Sequence, residues 1–115
     1  MAARQAAPQS PASSAPKVYE AVQGPLGKVI KGTEVTVAEA IARRKASLDI
    51  VVCGENHKAN RRLARAVENA VGPNTPQPPH KRLGPYALPH FQPDPRPPEG
   101  HSFYETDKLK AAVNP

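Results

Sequence analysis

Proline placement constrains this chain more than any other feature. Ten of its fifteen prolines fall between Pro73 and Pro98. Each proline fixes φ and withdraws a backbone donor, so this density forbids a helix and interrupts any sheet ladder. Regular structure is therefore expected mainly before residue 73. Two later pieces escape the prolines and suit strands, Tyr86–Gln92 (YALPHFQ) and His101–Glu105 (HSFYE). Pro93–Gly100 (PDPRPPEG) reads as a stiff loop joining them.

Upstream, local signals are clearer. Residues 1–16 (MAARQAAPQSPASSAP) hold no aromatic residue and no apolar period. They cannot bury enough surface to offset their ordering entropy and are expected to be a flexible lead-in. That leaves residues 17–115 as a single domain, near the lower size limit for folding on one core. Lys17–Lys31 reads as two short strand-like pieces around the turn signal Gly24-Pro25. Thr36-Val37-Ala38-Glu39 has the pattern of a capping box and predicts a helix over 36–47. Val37, Ala40, Ile41 and Leu48 follow at helical spacing, and Arg43, Arg44 and Lys45 crowd the end where cations complement the dipole. Ile50–Cys53 predicts a buried strand closed by Gly54. Asn56 can cap a second helix over 57–71, with a stripe of Leu63, Val67, Ala70 and Val71 and a stop at Gly72-Pro73. Asp107–Val113 suits a last helical turn. The pattern predicts an α+β fold, two helices packed on a small, mostly antiparallel sheet.

Composition bounds the chemistry. Two Phe, three Tyr, one Met and no Trp make a thin apolar inventory, so a partner covering part of the surface would add stability. Cys53 is the only cysteine, which excludes an internal disulfide and a paired-cysteine zinc site; at the end of an apolar strand it reads as packing. There is no apolar run of secretory-signal or membrane-spanning type. Sixteen Lys and Arg against ten Asp and Glu give a formal charge of +6. Such a surface attracts polyanions, nucleic acid above all, although general solubility would explain the charge as well.

The histidines suggest a site. His57, His80, His90 and His101 all lie in the second half of the chain. Metal-independent RNA cleavage needs a base for the ribose 2′-hydroxyl, an acid for the leaving 5′-oxygen, and cations for the charged phosphorane. Imidazole serves as either base or acid near neutrality, while Arg and Lys stabilise the charge. His101 and His90, each beside an aromatic residue, are the first catalytic candidates, with Tyr104 and His57 behind them. Strand alternation sends His101 and Phe103 to one face and Ser102 and Tyr104 to the other. His57 could instead hold a phosphate with the free N–H groups of the helix start. Arg61 and Arg65, one turn apart with Arg62 alongside, form a basic ridge. They read either as phosphate contacts or as a solvated face in which Arg65 is tied to Glu68. His80, Lys81 and Arg82 form a compact basic cluster, and Arg96 adds a further cation; each could equally be solvated loop, just as each histidine could simply satisfy loop carbonyls. No helix-borne zinc motif, EF-hand, phosphate loop, dinucleotide fingerprint, deaminase motif or nucleophile elbow is present, and neither cofactor nor metal is expected.

The segment from about Val18 to Tyr104 resembles the C-terminal toxin domains of bacterial polymorphic toxins. It does so through VVCGENHKANRRLARAVENAVG (51–72), GPYALPHFQP (84–93) and GHSFYE (100–105). It is similar to the barnase–EndoU–colicin–RelE group of ribonuclease toxins. The resemblance implies N-terminal helices packed on a small antiparallel sheet, metal-independent cleavage of RNA, and a cognate immunity protein, the domain being a monomer or a heterodimer with it. It also implies secretion or injection as part of a larger effector, with action in the target-cell cytoplasm. The early strand-like segment and the proline content depart from that pattern. A non-catalytic nucleic-acid or ribosome-binding module, and a toxin with DNase or nucleotide- or NAD-directed chemistry, are the alternative readings.

Overall fold

Ile50-Val51-Val52-Cys53 has apolar side chains on both faces, and the fold is built around it. In the computed structural model, which describes residues 15–113, this run is strand β3 (Ile50–Cys53), with all of its residues buried. Of the lead-in expected over 1–16, all but Ala15 and Pro16 lie outside the described residues. Strand β3 pairs antiparallel with β1 (Lys17–Gln23) and parallel with β6 (Ser102–Tyr104). Beyond β1 lie antiparallel β2 (Val29–Val35) and then β7 (Ala112–Val113), parallel to β2. Beyond β6 lie β5 (His90–Pro93) and the edge strand β4 (Asn74–Gln77), both joined by antiparallel pairing. The order across the sheet is β4-β5-β6-β3-β1-β2-β7. Helices α1 (Val37–Lys45) and α2 (His57–Val71) pack on the sheet, giving the expected α+β fold with a mixed, mostly antiparallel sheet.

Alternation along the strands sorts the core into two layers. Val18, Ile50, Val52, Phe91 and Tyr104 meet Ala40 of α1 and Ala64 and Val67 of α2. On the opposite face Ala21, Val29, Val51, Cys53 and Phe103 are covered by Leu88, with Tyr19, Leu109 and Ala111 packed around them. Connecting segments, not helices, seal that second face. Burial, reinforced by the negative charge of Glu105, pushes the Cys53 thiol up to about 12, so it packs as a neutral group.

The helix starts follow their local signals. Thr36 Oγ1 accepts from the Glu39 N–H at 3.1 Å while the Thr36 N–H donates to Glu39 Oε1 at 2.8 Å, a complete capping box. Asn56 Oδ1 accepts from the Ala59 N–H at 3.0 Å.

Later elements depart from expectation. Of the strand expected over Tyr86–Gln92 only His90–Gln92 is paired, within β5; upstream, between Pro85 and Pro89, Ala87 and Leu88 are buried without joining the sheet. The prolines do not stop pairing entirely: β4 carries Pro76 and still pairs with β5, as an edge strand can. The last helical turn expected over 107–113 is absent. There Leu109 and Ala111 turn inward, and the Ala111 N–H donates to Glu105 Oε2 at 2.8 Å instead of to a helical carbonyl.

The helix faces also differ from their apolar stripes. Val37 and Leu48 are exposed, whereas Arg44 is fully buried and opposes Glu68, itself fully buried on α2. Arg44 Nε donates to Glu68 Oε1, and Nη1 donates to the carbonyls of Leu48 at 3.0 Å and Glu99 at 2.9 Å. Ser102 Oγ donates to the same Glu68 oxygen at 2.7 Å. Glu68 is thus turned into the core and does not tie down Arg65. Removing one partner strands a charge in a medium that cannot solvate it. Arg44→Met is therefore expected to cost about 3–5 kcal/mol in urea denaturation, and adding Glu68→Leu to recover part of that loss. Additive losses in the double variant would show that the two charges are not coupled.

Candidate active site

The parallel register that sets Ile50 opposite Ser102 also sets Asp49 beside His101, each one residue ahead of its strand. The Ile50 N–H donates to the His101 carbonyl at 3.1 Å, and the His101 N–H donates to Asp49 Oδ1 at 2.8 Å. His101 Nδ1 lies 3.1 Å from the same carboxylate oxygen. Gln23, at the end of β1, donates from Nε2 to Asp49 Oδ2 at 3.1 Å. Gln23 Nε2 also lies 3.3 Å from Nδ1. The ionised carboxylate at 3.1 Å is the stronger partner and favours the tautomer with the proton on Nδ1, which leaves Nε2 as the basic nitrogen. Burial alone would raise the Asp49 pKa, but hydrogen bonds from His101 and Gln23 and the nearby imidazole charge outweigh it and hold the carboxyl below its ordinary value. Asp49 is ionised at neutral pH and orients the ring.

Antiparallel pairing of β5 with β6 sets His90 opposite Phe103, on the same face as His101. The His90 ring centroid is 4.7 Å from that of His101 and 4.9 Å from that of His80, nearly perpendicular to both. The three imidazoles form a file with His90 in the middle. His90 is 2% exposed, against 22% for the His101 side chain. Its ring nitrogens lie 3.4 Å from the Leu88 carbonyl and 3.1 Å from Gln92 Oε1. Burial pushes its pKa down to about 4, the charge of His101 adds to this, and the hydrogen bonds to Leu88 and Gln92 only partly oppose it. His90 is therefore neutral at neutral pH.

The sheet divides the expected site residues. His101, His90 and His80 share one face, with Lys81 and Arg82 exposed in the 3₁₀ turn that follows His80. Arg96 lies in the connection leading to His101, where it binds Glu99 Oε1 at 2.9 Å and reaches the Gly100 carbonyl at 3.5 Å. Tyr104 points to the helix face and packs there with Phe91; the His57 ring stacks on it at 6.0 Å. Those two line a shallow hollow with Gln77 and Pro79, away from the histidine file. Arg61 lies over the Phe91 ring at 5.2 Å, and Arg65 lines a separate cavity of about 550 Å³ with Asn69 and Asn74. Asp49 and Gln23 escape the sequence reading, since nothing local links them to residue 101. An acidic residue directly before an apolar strand is the one trace they leave.

Among the described residues no group of three His, Cys, Asp or Glu side chains is placed to hold a metal ion, and no helix is long and apolar enough to cross a membrane. Comparison with protein families, with curated proteins and with solved structures finds no match for this chain. The site must be understood from its own geometry.

His90 makes stability depend on acid. Its native pKa of about 4 lies below the ordinary 6.5, so between those values the unfolded chain binds a proton that the native chain does not. Stability conferred by neutral His90 is complete above pH 6.5 and is lost as pH falls toward 4. Unfolding free energies from urea titrations at neutral pH and near pH 4.5 should differ by about 2–3 kcal/mol more in the wild type than in His90→Gln. Equal acid sensitivity in the two proteins would remove His90 as its source.

Proposed function

We propose that the chain is a metal-independent endoribonuclease whose general base is His101. The Asp49–His101 pair carries this reading: a carboxylate fixes Nδ1, and Nε2 is left without a protein partner on the surface of a basic chain. In the reaction, His101 Nε2 takes the proton of a ribose 2′-hydroxyl, and the resulting oxyanion attacks the adjacent phosphorus. The bond to the leaving 5′-oxygen breaks, and that oxygen takes a proton from His80. The products are a 2′,3′-cyclic phosphate and a 5′-hydroxyl. Lys81 and Arg82 offset the charge that builds on the phosphorane oxygens. His90 holds the two outer imidazoles apart without adding charge of its own.

The shallow setting supports a polymeric substrate. The His101 side chain is 22% exposed and lines neither the Arg65 cavity nor the His57 hollow, so it suits a strand laid across the face better than an enclosed small molecule. The resemblance of the sequence to polymorphic toxin domains agrees with this chemistry and adds the proposal that the enzyme is an effector restrained by an immunity protein.

Total cellular RNA incubated with the purified chain in excess EDTA should yield fragments ending in cyclic phosphate. His101→Ala should slow this about a hundredfold or more. Asp49→Ala should do comparable damage, because it removes the carboxylate oxygen that holds both the His101 N–H and Nδ1. Intact RNA in the wild-type reaction, or undiminished cleavage by both variants, would defeat the proposal; salt-dependent RNA binding without cleavage would point to a binding module.

A further inference from the structure

Two tight 3₁₀ turns meet at one end of the sheet, Pro25–Gly27 and Lys81–Leu83, and together they hold apolar side chains out in solvent. Leu26 is 59% exposed, Leu83 51% and Tyr86 48%. Nothing in the core needs them there. The backbone beneath is nonetheless tightly specified. Leu26 sits in the left-handed region at φ 60°, a conformation that costs a non-glycine residue of order 1–2 kcal/mol. Gly84, at φ 139°, passes so close that a Cβ on it would lie 2.1 Å from the Leu26 carbonyl oxygen. The Tyr86 N–H donates to that same oxygen at 3.4 Å. Strain retained under an exposed apolar tip is a mark of function.

Its surroundings indicate the ligand. Lys28 Nζ lies over the Tyr86 ring, 5.2 Å from its centroid, and Lys81 and Arg82 are exposed in the adjoining turn. Among the described residues no carboxylate pairs with any of these three cations. An exposed aromatic ring among unpaired cations is what a single nucleic-acid strand requires: a face for bases and charges for phosphates. The same segment leads into the catalytic face, with His80 immediately before the turn and His90 four residues after Tyr86. Four residues span at most about 14 Å, so a strand seated on the histidines reaches the tip within a short run of nucleotides.

We propose that Tyr86, flanked by Leu26 and Leu83 and rimmed by Lys28, Lys81 and Arg82, is a stacking site for an unpaired base of single-stranded RNA. The choice of RNA rests on the ribonuclease reading. An unpaired base can lie flat on the ring, whereas a duplex keeps its bases stacked on each other and offers the tip only backbone. Tyr86 thereby selects single strands and sets their register on His101.

The test is a binding titration with a fluorescein-labelled 2′-O-methyl RNA of about 12 nucleotides, which lacks the attacking hydroxyl and so reports binding apart from cleavage. Tyr86→Ala should weaken binding about tenfold or more, Tyr86→Phe should bind like the wild type, and a duplex of the same sequence should show no such dependence. Lys81→Ala and Arg82→Ala should each lower the slope of log affinity against log salt by about 0.7. The chain has no tryptophan, so Tyr86→Trp supplies a unique reporter whose emission should be quenched as the oligonucleotide binds. Unchanged affinity in Tyr86→Ala together with unquenched Tyr86→Trp overturns the proposal and leaves the tip to a protein partner. Tyr86-dependent binding by a chain that cleaves no RNA would sink the ribonuclease reading alone.

Discussion

The buried guanidinium of Arg44 is the contact on which the rest of the fold depends. From the last turn of α1 it reaches Glu68 on α2 and the carbonyls of Leu48 and Glu99, while Glu68 holds Ser102 on β6. Both helices, the central sheet and the connection before His101 therefore converge on one ion pair. Taking two charges out of water is costly, and an apolar pair of the same volume would often serve stability as well. An apolar pair could not, however, direct a carbonyl. By binding the Glu99 oxygen, Arg44 sets the path of the next two residues. Gly100 follows at φ 90°, where a Cβ would lie 2.6 Å from Arg44 Nη1 and 3.1 Å from Asp49 Oδ1. His101 then enters the sheet already aligned with Asp49. Core and site are joined within three residues.

The two faces of the sheet do different work because they are covered differently. Helices seal one face with small and aliphatic side chains, and the aromatic residues there, Phe91 and Tyr104, are core. The other face is covered only by connecting chain, so burial grades from one end to the other. His90 is buried with its ring against the Leu88 carbonyl, whereas His101 stays partly open. That gradient separates two chemically identical imidazoles into a buried neutral ring and a partly open ring oriented by Asp49. Strand alternation carries the rest of the division: Tyr104, three residues after His101, is directed away from it.

Local physics made much of this legible. Thr36 with Glu39 and Asn56 with Gly72 marked the helices, and the β-branched run at 50–52 marked the central strand, because each signal acts within a few residues. Non-local pairing was not legible. Asp49 and His101 meet only because β3 and β6 run parallel, and nothing near residue 49 indicates a partner 52 residues away. Arg44 looked like a cation at a helix end because its partner lies on another helix. The face of α1 that an apolar count chose, Val37 and Leu48, yields to a face defined by a charge. In the proline-rich half, chain flanked by Pro85 and Pro89 covers the sheet instead of joining it, and which of the two it does depends on what needs covering.

The same long-range pairing limits how the dyad can select a substrate. His101 is held at its backbone N–H, its carbonyl and Nδ1, so the imidazole is rigid before any ligand arrives. In the proposed ribonuclease, rigidity would favour proton transfer but supply no recognition, since one ring nitrogen would meet every ribose alike. Discrimination has to come from contacts displaced along the strand. The chain places unpaired cations and an exposed aromatic ring at the tip formed by Leu26, Leu83 and Tyr86, a few residues from the imidazole file. That tip is also where the backbone tolerates a left-handed leucine. Asp49 and His101 are thus anchored to the central strands, whereas His80, Lys81, Arg82 and Tyr86 stand on turns at the margin. In the proposed ribonuclease that separation would suit a flexible polymeric substrate, because the register that brings Asp49 to His101 is set by the strands and not by the turns.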